Sequence, residues 1–364
     1  MVLCRTVFNS RGDILLRQGT VLSERYLDIL RTRGYTSVLV ADPDTEDIII
    51  SDILSEHVRA AVTSEVAQLY GGVWGEEDTK KVAEMMSRLR ANIVDMVEEV
   101  LEGETMISLQ AMRAQDTYLF DHSIDGTIVA LLIGRRLGYD RSALQRLAAG
   151  SIARDIGMMK VPLEIREKAS PLSPEEWTLV RHHTELGFLI LRKARPGSVI
   201  PNAVALQHHE RQDGLGYPQG LWGTNKISRE PVGPGRLILD AEITAVADVY
   251  DALGADRPHR PALSSDRVAV ELLRLAGGHL NRAIVEQLLW ILPLFPIGSE
   301  ILLRTGPYQG FRGVVVAVSA EDLARPVVRI LYNRGGMRIP PFEIDLRKDP
   351  STLAGISLRG NTRT

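Results

Sequence analysis

Cysteine is almost missing from this chain: Cys4 is the only one in 364 residues. That excludes an intrachain disulfide and any zinc site built on thiolates, so a bound metal must be held by His, Asp and Glu. Long apolar runs are missing too. No stretch of about eighteen uncharged apolar residues is present, which predicts no membrane-crossing helix. The opening MVLCRTVFNSRGD lacks the apolar core of a signal peptide. A cytoplasmic protein with no membrane partner is expected. Nor does one sign of charge dominate: 43 Lys and Arg against 46 Asp and Glu leave a formal charge of -3. There is no basic stripe with interleaved aromatics, and nucleic acid is not an expected partner.

Length suggests two or three domains, and 45% apolar with 24% charged residues is ordinary for a globular chain. Residues 1–50 read as a small α/β module suited to regulation. Leu3 to Phe8 is extended, Ser23 caps a helix carrying Tyr26, Leu27 and Leu30, and Ser37 to Val40 is strand-like. Residues 51–117 read as a helical linker. Within it, Thr79 to Val100 places Val82, Met85, Met86, Leu89, Ile93, Val94, Met96 and Val97 at spacings of three and four. That amphipathic face suits core packing first and a homodimer second.

Residues 118–292 are nearly all helical in pattern, with Ser173 and Pro174 as N-cap and first residue of a helix leading to His182 and His183. After Leu292 the period changes to short strand-like runs, a small β module over residues 293–347, followed by a tail at 348–364. The fold class is therefore mainly α, a helical bundle core with a small N-terminal α/β module and a small C-terminal β module.

Chemistry concentrates where an apolar helical run, Val199 to Gln207, ends in His208-His209-Glu210 and enters the loop Asp213-Gly214-Leu215-Gly216-Tyr217-Pro218. The helical segment holds, in order, His122, Asp155, His183, His208, His209 and Asp248. Imidazole nitrogen and carboxylate oxygen are ligands suited to iron, manganese or zinc at a hydrolytic centre. Adjacent histidines on a helix diverge by roughly 100°, which suits two ions better than one.

The order His122-Ser123, Asp155-Ile156-Gly157, His183 with Gly187, His208-His209-Glu210, Asp213 to Pro218 and Ala247-Asp248-Val249-Tyr250-Asp251 resembles the HD-GYP family, the branch of the HD phosphohydrolases associated with bacterial cyclic di-GMP signalling. The resemblance implies an HD-type bundle and a divalent metal cofactor, two ions of iron or manganese. It implies His122, Asp155, His183, His208, His209 and Asp248 as ligands, with Asp155 the bridge. Tyr217, Arg257 and Arg260 then fall on positions that contact the dinucleotide. The implied activity is phosphodiester hydrolysis of cyclic di-GMP by a metal-activated water, giving linear dinucleotide, GMP or both.

Two residues depart from that pattern. Arg154 stands where the family has a histidine directly before the bridging aspartate, and Met158 where a lysine is usual. Arginine has no lone pair to give a metal. Either Arg154 takes a catalytic role beside Asp155, holding phosphate for an altered phosphodiesterase, or the domain is degenerate and serves as a cyclic di-GMP sensor or binds a signalling protein partner.

Overall fold

The computed structural model describes residues 1–356 apart from 5, 10–12, 34, 36–37, 39, 42, 49–51, 73–77, 104–105, 107–117, 167, 169, 229–235 and 256–260. The N-terminal module pairs β1 (Val2–Leu3) with β4 (Val40–Ala41) and β2 (Val7–Phe8) with β3 (Ile14–Leu16), and carries α1 (Glu24–Thr32) between them. Ser23 caps α1, its hydroxyl accepting from Tyr26 N at 3.4 Å. Leu3, Val7, Leu16, Leu30 and Tyr35 form its own small core.

The helical body consists of α2 (Glu56–Gly71), α3 (Thr79–Glu102), α4 (Tyr118–Arg136), α5 (Arg141–Ile152), α6 (Leu163–Arg166), α7 (Pro174–Arg181), α8 (His183–Ala194), α9 (Val199–Gln207), α10 (Leu239–Gly254), α11 (Ser265–Leu275) and α12 (Arg282–Leu289). Side chains satisfy the exposed N–H groups at several starts. Asp140 accepts from Ala143 N at 2.7 Å to open α5, and Ser173 and Glu176 form a reciprocal capping box on α7 with Pro174 at its first position.

The stretch expected as a linker is part of this body. Val82, Met85, Met86, Leu89, Ile93, Met96 and Val97 of α3 are buried in the same core cluster as Ile128 and Leu131 of α4 and Leu144 and Leu147 of α5. The apolar face of α3 is thus covered within the chain. Its neighbour α2 sends Arg59 to Asp125 of α4 at 3.0 Å and to Asp52 at 2.7 Å, a buried ion pair one helical turn beyond His122.

After α12 the chain forms an antiparallel five-stranded sheet in the order β8-β7-β6-β5-β9. Its strands are β5 (Glu300–Leu303), β6 (Arg312–Ser319), β7 (Asp322–Tyr332), β8 (Arg338–Asp345) and β9 (Ala354–Ile356), packed over Phe295, Ile301, Leu303, Val315, Val328 and Ile330. The last strand lies in the stretch expected as a tail. A three-residue strand has too little pattern to be read from sequence, and it is held by pairing Ala354 with Leu303 and Ile356 with Ile301.

Candidate metal centre

Five separate pieces of the body deliver the six expected ligands to one place. His122 comes from the first turns of α4, and Asp155 from the residue before a 3-10 helix, Ile156–Lys160. His183 begins α8, His208 and His209 close α9, and Asp248 lies in α10. Two glycines set the closest approach among these pieces. A Cβ on Gly157 would stand 1.9 Å from the His183 carbonyl oxygen and 2.6 Å from Gly187 N. Only glycine lets the 3-10 helix lie directly on α8, and that contact seats Asp155 against His183.

The donors fall into two groups that share Asp155: Asp155, His183, His208 and His209, and His122, Asp155 and Asp248. In the first, His183 Nδ1 lies 2.7 Å from the Val180 carbonyl and His208 Nδ1 lies 3.0 Å from the Ala205 carbonyl. Carbonyls only accept, so both Nδ1 atoms carry a proton and each Nε2 is the ring nitrogen left to meet a ligand. Those two Nε2 atoms face each other at 3.3 Å, each 3.5 Å from Asp155 Oδ1.

Two imidazole nitrogens converging on one carboxylate oxygen suit a cation. Burial pushes His183 down to about 4, and burial with the neighbouring His208 and His183 takes His209 well below its ordinary value, so both are neutral near pH 7. Burial would raise Asp155, but Arg154 and His208 outweigh it and hold the carboxylate well below its usual range. Its Oδ2 is buried and accepts no hydrogen bond. That oxygen lies on the Arg154 side, and it is Oδ1, 3.5 Å from both His183 Nε2 and His208 Nε2, that fits a divalent ion.

The loop after α9 closes over this group. Tyr217 stacks on His209 with ring centroids 4.8 Å apart and planes at 24°, and its backbone N–H donates to the His209 carbonyl at 3.2 Å. A Cβ on Gly216 would meet Arg211 N at 2.4 Å, and Gly214 has φ 73°, so the turn requires its glycines. The acids of the motif shape the loop: Glu210 accepts from Gln219 N at 2.6 Å and Leu221 N at 2.8 Å, while Asp213 accepts from Leu215 N at 3.0 Å and pairs with Arg211.

In the second group His122 is enclosed by carboxylates, with Nε2 2.9 Å from Asp248 Oδ1 and Nδ1 2.5 Å from Asp251 Oδ2. Burial and Arg154 oppose its cation, yet Asp248 and Asp251 outweigh them and raise it above its ordinary value. Arg154 is fully buried here. Its Nε donates to Asp248 Oδ1 at 3.0 Å, Nη1 to the Ser151 carbonyl at 2.9 Å and Nη2 to the His122 carbonyl at 3.1 Å, with Asp155 Oδ2 3.2 Å from Nε. Burial works against the guanidinium charge, and Asp248 and Asp155 more than restore it.

Those donors face protein acceptors, so Arg154 is not presented to a phosphate. Met158 is half-buried against the helical core. Arg257 and Arg260 lie outside the described residues. Asp251 and Gly126 were the residues that sequence reasoning undervalued. Asp251 sits three residues after Asp248, on the same face of α10, and that spacing was its only signal. A groove of about 790 Å³ elsewhere, lined by Val270, Leu273, Trp290 and Leu323 among others, contains no histidine, so size does not mark the site.

Histidines gathered around one buried aspartate on a helical bundle form a cluster that could hold a divalent metal ion. The HD domain family matches residues 89–284, and the chain belongs to that family, in its HD-GYP branch. A cyclic di-GMP phosphodiesterase of Pseudomonas aeruginosa is 27% identical over 94% of this chain and 77% of its own length. The 3'3'-cGAMP-specific phosphodiesterase 2 of Vibrio cholerae is 31% identical over 42% of this chain and 27% of its own length. The solved structure of an HDG"Y"P protein from Bdellovibrio bacteriovorus shares the fold, with a TM-score of 0.52 at 16% identity over 79% of this chain and 95% of that one. Among the described residues no helix is long and apolar enough to cross a membrane.

Proposed function

We propose that this chain is a metal-dependent phosphodiesterase of cyclic dinucleotides, with cyclic di-GMP as substrate and linear dinucleotide, GMP or both as products. The observation that carries the reading is the approach of His183 Nε2 and His208 Nε2 to 3.3 Å, each 3.5 Å from Asp155 Oδ1. The names of the relatives support the substrate class. Asp155, His183, His208 and His209 would hold the ion, a first-row divalent metal such as iron or manganese rather than magnesium, because three of the four donors are imidazoles. Bound there, the ion supplies a Lewis acid that activates water and offsets negative charge on the phosphate.

The remaining tasks fall to the chain itself. Tyr217 presents its ring and hydroxyl at the mouth of the site, where a dinucleotide enters, with Arg181 5.4 Å above the ring. Arg257 and Arg260 are proposed as further dinucleotide contacts, since a guanidinium fork matches phosphate. Asp248 and Asp251 hold His122 in place. A sensor that binds the dinucleotide without turnover is the rival, favoured by the Arg154 guanidinium among the carboxylates. Anaerobic purification with metal analysis, then incubation with cyclic di-GMP and chromatographic separation, decides between them. Turnover with at least one ion per chain is expected; saturable binding with no product would sink the enzyme reading.

A further inference from the structure

We propose that the centre is mononuclear: the chain takes one divalent ion, at Asp155, His183, His208 and His209, and the guanidinium of Arg154 is its permanent second cation. The proposal rests on the metal reading of that site and not on turnover. The group of His122, Asp155 and Asp248 does not suit an ion, because its centre is occupied by a side chain that is itself positive. Arginine has no lone pair to offer and stays protonated at any working pH. Here it is 0% exposed and its three nitrogens reach Asp248, the Ser151 carbonyl and the His122 carbonyl between 2.9 and 3.1 Å. His122 cannot turn to a metal without giving up a carboxylate, since its two nitrogens lie 2.9 Å from Asp248 and 2.5 Å from Asp251.

The space is built for a guanidinium. Gly126, one turn beyond His122 on α4, faces it. A Cβ there would lie 3.1 Å from Nη2, 3.3 Å from Nη1 and 3.4 Å from Cζ of Arg154. A cradle and a carbonyl on α4 with a second carbonyl aimed from α5 mark a seated cation rather than a stray substitution. Asp155 would then offer Oδ1, 3.5 Å from His183 and His208, to the ion, while its Oδ2 lies 3.2 Å from Arg154. As a positioning residue Arg154 balances the shared carboxylates, and metal dependence becomes that of a single site.

Metal content tests this without reference to activity. The full-length protein is stripped of metal, titrated anaerobically with Mn2+, and read by calorimetry, elemental analysis and electron paramagnetic resonance. One ion per chain with the spectrum of an isolated Mn2+ is expected. Arg154→His should raise the count to two, with a spin-coupled signal. Two ions in the parent chain would overturn the proposal while leaving the metal reading standing; no ion at any concentration would overturn both. Should the variant not fold, crystals of the parent soaked in Mn2+ give the answer by anomalous scattering. One peak among the three histidines with the guanidinium beside Asp248 is expected, and a second peak or a displaced guanidinium would refute it.

Discussion

The two halves of the site share one carboxylate and differ in what satisfies it. On the histidine side, Asp155 Oδ1 lies 3.5 Å from two imidazole nitrogens, a cluster suited to a cation. On the arginine side, Oδ2 and Asp248 face a guanidinium already seated. The first is suited to a ligand; the second is balanced and closed. Function and stability are thus divided between neighbouring groups, as expected where a site is held for chemistry at the expense of the fold.

The sharpest way to break that contrast is His208→Ala. It removes one of the facing imidazole nitrogens, so the metal should be lost and turnover of a cyclic dinucleotide should fall at least ~1,000-fold, about 4 kcal/mol of transition-state stabilisation. The melting temperature of the metal-free chain should hold or rise. Arg154→Ala should act in the opposite sense. It strips the main cation from Asp155 and Asp248 and should cost about 3–5 kcal/mol in urea unfolding, the usual penalty for removing one side of a buried ion pair. If the two variants fall in the same order for stability as for activity, the division between halves is wrong.

Acid separates the halves without mutation. An unfolded histidine takes its proton near 6.5, whereas folded His183, held down by burial, waits until about 4. Between those values the unfolded state binds more protons, so the metal-free chain should lose stability as pH falls through 6.5 toward 4, by up to about 3 kcal/mol at roughly 1.4 kcal/mol per pH unit. His122, raised by Asp248 and Asp251, has the opposite sign: its contribution is full below 6.5 and is lost as pH rises through its folded value. Asp155 and Asp248, held low chiefly by Arg154 against burial, keep theirs until well below the ordinary carboxylate range. Thermal melts from pH 7 to 4.5 should show the slope, and His183→Gln should flatten it.

The contrast also explains what sequence could and could not disclose. The clustering of the histidine half was legible because its candidate donors are chemically distinctive and its loop needs glycine at Gly214 and Gly216, a constraint that leaves a recognisable motif. The helices were legible from period and caps, as at Ser173 and Pro174. The arginine half was not, because the same Arg154 reads equally as a phosphate clamp, a displaced metal or decay until its donors are placed. Asp251 looked like any helical carboxylate, and α2 with α3 looked like a linker because which bundle an amphipathic face joins is a tertiary fact. Nothing in the sequence singles out Gly126, whose part as a cradle depends on where Arg154 folds.

Gly126 gives the smallest and most discriminating test. Glycine within a helix costs about 1 kcal/mol relative to alanine, so Gly126→Ala in α4 would ordinarily stabilise the fold by that amount. The new methyl would instead press on Arg154 at 3.1 to 3.4 Å. A flexible chain end could retreat, but this guanidinium is tied to Asp248 and to two carbonyls on separate elements. In the parent chain the gain should therefore vanish or turn into a loss of about 1 kcal/mol. In the Arg154→His background the smaller imidazole frees the cradle, and the same substitution should recover its stabilising sign. A double-mutant cycle read by urea unfolding should give a coupling of about 1–2 kcal/mol between the two positions. Additivity within experimental error would mean that Gly126 is not shaped around Arg154, and the arginine half would lose its claim to be a built cation seat.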